Sequence, residues 1–362
     1  MKIVVDINHP SDVHFFNNFI RKMKDRGHQV LITATDKDVT FKLLGKYGYD
    51  YANLGKYGKS LLSKAITLPL IDLRMFRAVR TFQPDIFLGF GSVRAAHVAY
   101  LLRKPSIIFD DTEHSTEQIR LFLPFCDAVC TPSCFETDLG PKQVRFNGYK
   151  ELAALHPNYF TPDPSVLREI GLSSDERFFI IRFVSWQASH DVGQHGISDK
   201  IGLVKRLEKY GRVLLTSEGP LPEELEPYRI RVSPEKLHDL LYYATLYIGE
   251  GATTASEAAV LGTHSIYVNT LGAGTLHEQE GTYELVFNFS DPENRDNDVI
   301  SKAIELLEDP ELWAKGKTKR ERLLQDKIDV TAFMVWFIEN YPGSKEETKE
   351  HPENQDRFAA SL

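Results

Sequence analysis

The segment GEGATTASEAAVLG follows a strand-like run and contains residue types that can bind a phosphorylated ligand. Gly249 and Gly251 let a ligand approach the backbone closely, and the amides at a helix N-terminus favour phosphate. Thr253 and Thr254 can either cap the helix or bind phosphate oxygens. Glu257, one turn into the helix, can accept hydrogen bonds from both hydroxyls of a ribose, or it can merely complement the helix dipole. The segment therefore predicts an anion-binding turn with Glu257 on a sugar-like group.

A second candidate lies near the N-terminus, where NHPSDVHFF follows the strand-like run KIVVDI. His14 opens the predicted helix at the edge of the sheet, and an imidazole there titrates near neutrality, as a general base for a hydroxyl requires. The alternative is that Ser11 or Asp12 caps the helix and His14 is an ordinary surface residue. His9 is the weaker candidate, because Pro10 directs it into the loop.

Two more loops in the first half follow strand-like runs. The glycines of GFGSVRAAHVA predict either an anion site built from backbone amides or tight packing alone. In FDDTEHSTEQ, Asp110, Asp111, Glu113 and His114 fall within five positions. Carboxyl groups gathered after an apolar strand are typical of an active site, and a solvated loop is the alternative. Asp111 and Glu113 are therefore predicted catalytic acids or bases.

The stretch RFVSWQASHDVGQHG stands in the second half, again after a strand-like run. Ser185 could bind a phosphate and Trp186 could pack on a ring. His190 and His195 lack a third ligand at a helical offset, so we predict no metal site. The cysteines are expected to be core thiols, since three cannot pair completely and their spacing is not that of a zinc ribbon: Cys126, Cys130 and Cys134.

The chain has 362 residues, of which 42% are hydrophobic and 26% charged, and its formal net charge is -8. These values are typical of a globular protein, and the negative charge argues against nonspecific nucleic-acid binding. We find no secretory signal and no apolar run of the roughly 18 residues that span a bilayer, so we expect a cytoplasmic protein. The basic and apolar segment GKYGKSLLSKA is compatible with peripheral contact at the inner face of a membrane.

Strand-like runs alternate with amphipathic helical runs along most of the chain, which predicts parallel sheets covered on both faces. The proline-rich stretch LHPNYFTPDP separates two such sets. We therefore predict an α/β protein with two Rossmann-like doubly wound domains facing a cleft, and ligands outside the carboxyl ends of the strands. The predicted parts are an N-terminal domain, a C-terminal domain, a helix returning to the first domain and a disordered tail: 1–154, 165–328, 329–342 and 343–362.

Three of these stretches, in this order, resemble the GT-B superfamily of glycosyltransferases. NHPSDVH stands in place of a glycine-rich loop that ends in histidine, and GFGSVRAAHVAYLLRKPSIIFDDTEHS parallels the acceptor-side segment. RVSPEKLHDLLYYATLYIGEGATTASEAAVLGTHSIYVN is similar to the donor-binding segment. The likeness is greatest to the N-acetylglucosaminyltransferase that makes the peptidoglycan lipid intermediate. The chain also resembles the archaeal and bacterial family known as domain of unknown function 354.

The resemblance implies an inverting, metal-independent transferase that moves a hexose from a UDP-sugar to a hydroxyl acceptor, with a lipid-linked acceptor among the candidates. It implies no cofactor beyond the nucleotide-sugar donor, and it leaves the acceptor and the oligomeric state open. His14 would lie on the acceptor side. The donor contacts it implies are Glu257 on the ribose, Gly251, Thr253 and Thr254 on the diphosphate, the backbone near Ser233 on the nucleobase, Ser185 near the phosphates, and His277, Glu278 and Gln279 on the sugar hydroxyls.

The chain departs from that family in two places that bear on function. Arg94 stands where a small residue is expected, and DDTEHS replaces a histidine-glutamate-glutamine run, which implies a different acceptor. A UDP-N-acetylglucosamine 2-epimerase of the same fold is a second hypothesis, because DDTEHSTE could supply acids that move a proton at a sugar carbon. RFVSWQASHD lacks the histidine-arginine-arginine-glutamate-asparagine run usual in those epimerases. A non-catalytic nucleotide-sugar-binding protein is the third.

Overall fold

A computed structural model describes residues 1–58, 61–173, 176–184, 196–230, 232–291 and 295–359. The chain divides into two compact units: unit 1, Met1–Tyr159 with Lys327–Leu362, and unit 2, Phe160–Asp326. The first boundary lies inside the predicted linker, because the side chains of Asn158 and Tyr159 donate to the carboxylate of Asp329 at 2.9 and 2.6 Å. The first part of the linker thus belongs to unit 1.

The strands and helices alternate in chain order. The strands are β1 Lys2–Ile7, β2 Gln29–Ala34, β3 Tyr51–Asn53, β4 Ile86–Phe90, β5 Ser106–Phe109, β6 Ala128–Pro132, β7 Gln143–Phe146, β8 Phe178–Phe183, β9 Arg212–Ser217, β10 Leu246–Gly249, β11 Ser265–Val268 and β12 Val286–Phe289. The α-helices are α1 Pro10–Asp25, α2 Thr40–Lys46, α3 Leu61–Val79, α4 Val93–Leu102, α5 Thr116–Phe122, α6 Leu152–Leu155, α7 Ser165–Glu169, α8 Lys200–Leu207, α9 Leu237–Tyr243, α10 Ala252–Val260, α11 Gly274–Gly281, α12 Arg295–Leu307, α13 Leu312–Asp326, α14 Val330–Glu339 and α15 Gly343–Glu350. Short 3-10 helices cover Gly140–Lys142, Glu223–Tyr228, Pro234–Lys236 and Pro352–Phe358.

Unit 1 contains a parallel sheet with the strand order β3-β2-β1-β4-β5-β6-β7. Its central strands β1 and β5 are mainly apolar and are buried except at Lys2, as expected for a sheet covered on both faces. On one face, α3, α4 and α5 pack over Val4, Phe87 and Ile108. On the other face α1 contributes Phe16, whose ring lies 6.2 Å from that of Phe109.

The apolar helix α14 packs against α1 and α6 within unit 1. Its Phe333 ring stacks on Phe146 of β7 at 5.8 Å, and the Thr331 hydroxyl donates to the Ala153 carbonyl at 2.9 Å. The composition of TAFMVWFIENY requires a partner for this helix, since burying such side chains is the main favourable term in folding.

The tail is ordered, so the prediction of disorder for residues 343–362 is wrong for the described part. Helix α15 and the 3-10 helix Pro352–Phe358 follow α14 directly. Gln355 accepts from the Asn147 amide at 3.0 Å and donates to the Arg145 carbonyl at 3.1 Å, so its amide group pairs with the backbone at the exposed edge of β7. The charged composition of the tail suggested disorder because it does not indicate these few specific contacts.

Unit 2 contains a parallel sheet with the order β12-β11-β10-β8-β9. Apolar side chains of β8, β10 and β11 meet α8 and α12 on one face. Helices α9, α10 and α13 contact one another in the same unit. Both units are therefore Rossmann-like, doubly wound parallel sheets, as the sequence predicts.

Candidate functional site

The strand order of each unit identifies the edge where a ligand is expected. In open α/β sheets, ligands bind outside the carboxyl ends of the strands where the order reverses direction. In unit 1 this point lies between β1 and β4, and in unit 2 between β8 and β10. The loop after β10 leads at once into α10, so the glycine-rich segment stands at the switch point of unit 2.

Helix α10 begins without a side-chain cap, because its N-cap residue is Gly251. The Ala255 amide donates to the Gly251 carbonyl at 3.2 Å, and amides in the turn before it have no acceptor within the helix. Among the described residues, a Cβ at Gly251 would meet Val184 alone, at 3.6 Å, which is an ordinary van der Waals distance. Thr253 is half-buried and Thr254 buried in this turn. The arrangement suits a phosphate or diphosphate.

The other end of α10 is capped by two basic side chains from α13. The Lys317 Nζ atom donates to the Leu261 carbonyl at 2.8 Å, and the Arg320 guanidinium donates to the Val260 carbonyl at 2.9 Å. Burial lowers the pKa of Lys317 to about 6, so the Arg320 guanidinium is the charge that offsets the negative end of the helix dipole near neutral pH. The close approach of α13 depends on Gly316, where a Cβ would lie 2.3 Å from the Gly262 carbonyl oxygen.

Gly249, which was predicted to let a ligand approach the backbone, also makes room for a neighbouring side chain. A Cβ there would lie 2.1 Å from the hydroxyl oxygen of Tyr247, whose side chain is fully buried. Burial raises the pKa of the Tyr247 hydroxyl, so this group is a neutral phenol at physiological pH. The glycine therefore makes room for the Tyr247 ring.

Glu257 lies in the second turn of α10 and is mostly buried. Its Oε1 atom is 3.0 Å from Nε2 of His238, in the first turn of α9, and the two side chains are 12% and 9% exposed. Because an ionised carboxylate only accepts, the Nε2 atom must carry the proton in this contact. Sequence analysis did not single out His238, since the two residues belong to different helices.

A second acid in the glycine-rich segment, Glu250, also went unrecognised. Its carboxylate accepts from the Val184 amide at 2.9 Å and from the Ile197 amide at 2.8 Å, and the Asn269 side chain donates to its carbonyl at 3.0 Å. Val184 directly follows β8, and Ile197 precedes α8. Glu250 thus joins three neighbouring loops at the carboxyl edge of the sheet.

The other predicted donor contacts differ in their surroundings. Ser185, with Trp186, His190 and His195, lies outside the described residues. Ser233 is half-buried, and its carbonyl accepts from the Lys236 amide at 2.9 Å in the first turn of a 3-10 helix. His277 is exposed and Glu278 half-buried on α11. Gln279 is fully buried and donates to the Ser256 hydroxyl at 2.9 Å, so it supports packing of α11 on α10 instead of facing a ligand.

His14, the predicted base of unit 1, is half-buried on α1. Its Nδ1 atom lies 3.2 Å from the Tyr47 hydroxyl, which can hold the ring in one orientation. The helix is capped by His9 and Asp12, the latter accepting from the His9 amide at 3.0 Å. Capping therefore occupies Asp12, and His14 remains the candidate base of this turn.

The predicted acids after β5 lie in different environments. Asp110 is buried, and burial beside Asp111 raises the pKa of its carboxyl to about 8. Asp111 pairs with the Lys150 ammonium at 2.7 Å and accepts from the Thr112 hydroxyl at 3.0 Å. Glu113 is half-buried and accepts from the Glu136 amide at 3.3 Å. Two adjacent carboxyls, one protonated near neutrality and one in an ion pair, are the arrangement that acid–base chemistry needs.

We expect Asp110→Asn to stabilise the protein increasingly as the pH rises. The folded-state pKa of Asp110 is raised, so protonation of its carboxyl stabilises the fold below pH 4, and that stability is lost as the pH rises towards 8. An amide mimics the protonated acid at every pH. Urea unfolding should therefore show little gain at pH 4 and a gain on the order of a few kcal/mol at pH 9. An equal gain at both pH values, or the same result for the exposed Asp298→Asn, would contradict this reading of Asp110.

The switch point of unit 1 is filled by a buried ion pair. Arg94 of α4 and Asp6 of β1 are fully buried, 2.8 Å apart, and Arg94 also donates to the Ile7 carbonyl at 2.9 Å. Ser92 caps α4 by accepting from the Ala95 amide at 3.1 Å. In the GFGS loop, Ser92 therefore caps α4, and the Arg94 guanidinium that follows neutralises the buried Asp6 carboxylate.

The described residues also bear on metal binding, membrane crossing and thiol chemistry. Among them, no group of three or more histidine, cysteine, aspartate or glutamate side chains could hold a metal ion. Across the same ranges, no helix combines the length and apolar character needed to cross a bilayer. Cys126 and Cys130 are buried, and burial raises the pKa of the Cys126 thiol to about 12, as expected for inert core thiols.

Comparison with known proteins places the chain in a family. A family model described as protein of unknown function (DUF354) matches residues 1–329. The uncharacterized protein MJ0665 of Methanocaldococcus jannaschii is 26% identical over 275 residues, which are 72% of this chain and 80% of that protein. These matches cover most of both units.

Two solved structures share the fold at low sequence identity. The UDP-GlcNAc 2-epimerase from Neisseria meningitidis bound to UDP-GlcNAc is 14% identical, with a TM-score of 0.61, 87% of this chain and 94% of that chain being covered. The spinosyn rhamnosyltransferase SpnG complexed with spinosyn aglycone is 14% identical, with a TM-score of 0.59 and coverage of 94% and 100%. The fold is therefore GT-B, and the chain belongs to the family of proteins of unknown function DUF354.

Proposed function

We propose that this protein is an inverting, metal-independent glycosyltransferase that moves a hexose from a UDP-sugar to a hydroxyl acceptor. The observation that carries the proposal is helix α10, whose N-terminus has no side-chain cap at the switch point of unit 2 and whose second turn carries Glu257. The solved structures of the same fold support it, since one is an epimerase bound to UDP-GlcNAc and another a rhamnosyltransferase.

In this proposal unit 2 binds the donor. The first amides of α10, with Gly251, Thr253 and Thr254, receive the diphosphate, and Glu257 receives the ribose hydroxyls. The backbone near Ser233 contacts the nucleobase. The resemblance assigns Ser185, which is outside the described residues, to the phosphates, and it assigns His277 and Glu278 to the sugar. Gln279 has no direct part, because it is buried in the contact between α10 and α11.

The chemical step is a single displacement at the anomeric carbon. The acceptor hydroxyl oxygen forms a bond to that carbon, and the bond to the phosphate oxygen breaks with its electron pair moving to UDP. His14 takes the hydroxyl proton, with Asp111 and Glu113 as the other candidate bases. The helix amides stabilise the charge that develops on the departing diphosphate, a task that a metal ion performs in other enzymes. A lipid-linked alcohol is one acceptor class to test, along with soluble sugars.

A UDP-GlcNAc 2-epimerase is the second candidate, favoured by one observation. The pKa of Asp110 is raised to about 8, while its neighbour Asp111 is held in an ion pair with Lys150. Such a pair could remove a proton from a sugar carbon and return it. The third candidate, a binding protein, would bind UDP without consuming any donor.

Incubation with UDP-GlcNAc, alone and with candidate acceptors, separates these functions. We expect UDP release that depends on an acceptor, and a product whose anomeric configuration, read by NMR, is opposite to that of the donor. Appearance of the 2-epimer without any acceptor would overturn the transferase in favour of the epimerase. Comparison of His14→Ala, Asp111→Asn and Glu113→Gln identifies the base, since loss of the base should slow transfer roughly 100-fold or more while leaving UDP affinity unchanged.

A further inference from the structure

His238 and Glu257 form a contact that joins α9 to α10 at the carboxyl edge of the unit 2 sheet. The Nε2 and Oε1 atoms are 3.0 Å apart, and both side chains are about nine-tenths buried. The edge of the Phe160 ring lies against the His238 ring, with centroids 6.2 Å apart. A partly buried hydrogen bond to a carboxylate is short and directional, so this contact restricts the carboxylate to one orientation.

His238 also follows closely on the segment assigned to the nucleobase. Ser233 is the N-cap of the 3-10 helix Pro234–Lys236, and α9 starts at the next residue. The backbone near Ser233 and the imidazole of His238 thus belong to one short, continuous piece of chain. A residue in this position can set the ribose contact relative to the base contact.

We propose that His238 is a positioning residue for ribose recognition: it orients the Glu257 carboxylate so that the carboxylate meets the ribose hydroxyls of a uridine nucleotide. The inference rests on the proposed function, in which Glu257 binds the ribose. Without the imidazole, the Glu257 carboxylate loses a contact that fixes its orientation, and part of the ribose affinity is lost in ordering it.

The test compares two nucleotides that differ only at the ribose. UDP and 2′-deoxy-UDP are titrated by calorimetry into the full-length protein and into variants of His238. We expect the wild-type protein to prefer UDP by roughly 10- to 100-fold, the range for hydrogen bonds to a charged group. His238→Leu should lose most of this preference, because UDP binding weakens more than the binding of 2′-deoxy-UDP, which has only the 3′-hydroxyl to offer to Glu257.

Two further variants separate positioning from folding. His238→Gln can still donate a hydrogen bond near the Nε2 position and should retain the preference, whereas His238→Asn is too short and should lose it. If His238→Leu does not fold, the Gln and Asn pair carries the test, with circular dichroism as the check on folding.

Each outcome has a separate meaning. If the wild-type protein does not distinguish the two nucleotides, the assigned ribose contact of Glu257 is wrong, and the proposed donor site fails with it. If the wild-type protein distinguishes them and the Leu and Asn variants keep the preference, His238 has only a structural role and the inference is overturned. Equal weakening of UDP and 2′-deoxy-UDP would overturn it as well.

Discussion

Replacing Arg94 with methionine is expected to lower the free energy of unfolding by about 3 to 5 kcal/mol, because it leaves the Asp6 carboxylate buried without its cation. Both side chains are fully buried, 2.8 Å apart, and the Thr33 hydroxyl at 2.6 Å cannot replace the lost charge. Urea denaturation of the full chain measures the loss. The variant should unfold in unit 1 first, which limited proteolysis can locate.

Two companion variants decide whether charge or volume causes the loss. Asp6→Asn combined with Arg94→Met removes both charges, so it should recover part of the stability. Arg120, which is exposed on α5, gives the matched control, and Arg120→Met should change stability by less than about 0.5 kcal/mol. A loss below about 1 kcal/mol in Arg94→Met would show that water reaches Asp6 and that the pair is not truly buried.

Replacing Glu257 with alanine is expected to weaken UDP binding by roughly 10- to 100-fold, since a carboxylate that accepts from ribose hydroxyls is lost. UDP should raise the melting temperature of the wild-type protein and barely raise that of the variant. Calorimetric titration measures the affinity directly.

The control for this variant keeps the same change in net charge within unit 2. Glu305 on α12 is exposed and pairs with Lys302, so Glu305→Ala should leave UDP affinity unaltered. Unchanged UDP affinity in Glu257→Ala, with wild-type binding intact, would exclude the ribose role. Glu257→Ala could also destabilise the fold, because His238 loses its partner. Such a loss would lower the melting temperature without nucleotide, which distinguishes it from weaker UDP binding.

The fold was predictable because its signals are local. Buried parallel strands such as SIIF and alternating amphipathic helices repeat along the chain, and each can be recognised within a few residues. The tail was mispredicted because its charged composition is typical of disorder, and the contacts that order it join residues far apart in the sequence. The amide of Gln355 bonds to β7 across 208 and 210 positions, which no local pattern can indicate.

The same distinction between local and distant signals applies to the candidate site. The strand–glycine–helix pattern located the α10 N-terminus and Glu257, because the pattern lies in one continuous segment. The role of Glu250 was missed, because the amides that donate to its carboxylate, those of Val184 and Ile197, lie 66 and 53 positions away in the sequence. Lys150 was missed because it follows β7, while its partner Asp111 follows β5. Gln279 failed as a predicted ligand because burial against Ser256 is a tertiary effect.

The ordered tail bears on comparisons within the family. The family model ends at residue 329, but Phe333 and Gln355, which cover α1 and the rim of β7, come after it. A homologue that stops near the equivalent of Asp329 must shield this surface in another way, for example by self-association or by a less apolar α1. Shortening this chain at Pro342 would uncover β7, the edge strand of the unit 1 sheet. A purification tag should therefore be added beyond residue 359, and the residues after Pro342 should be kept.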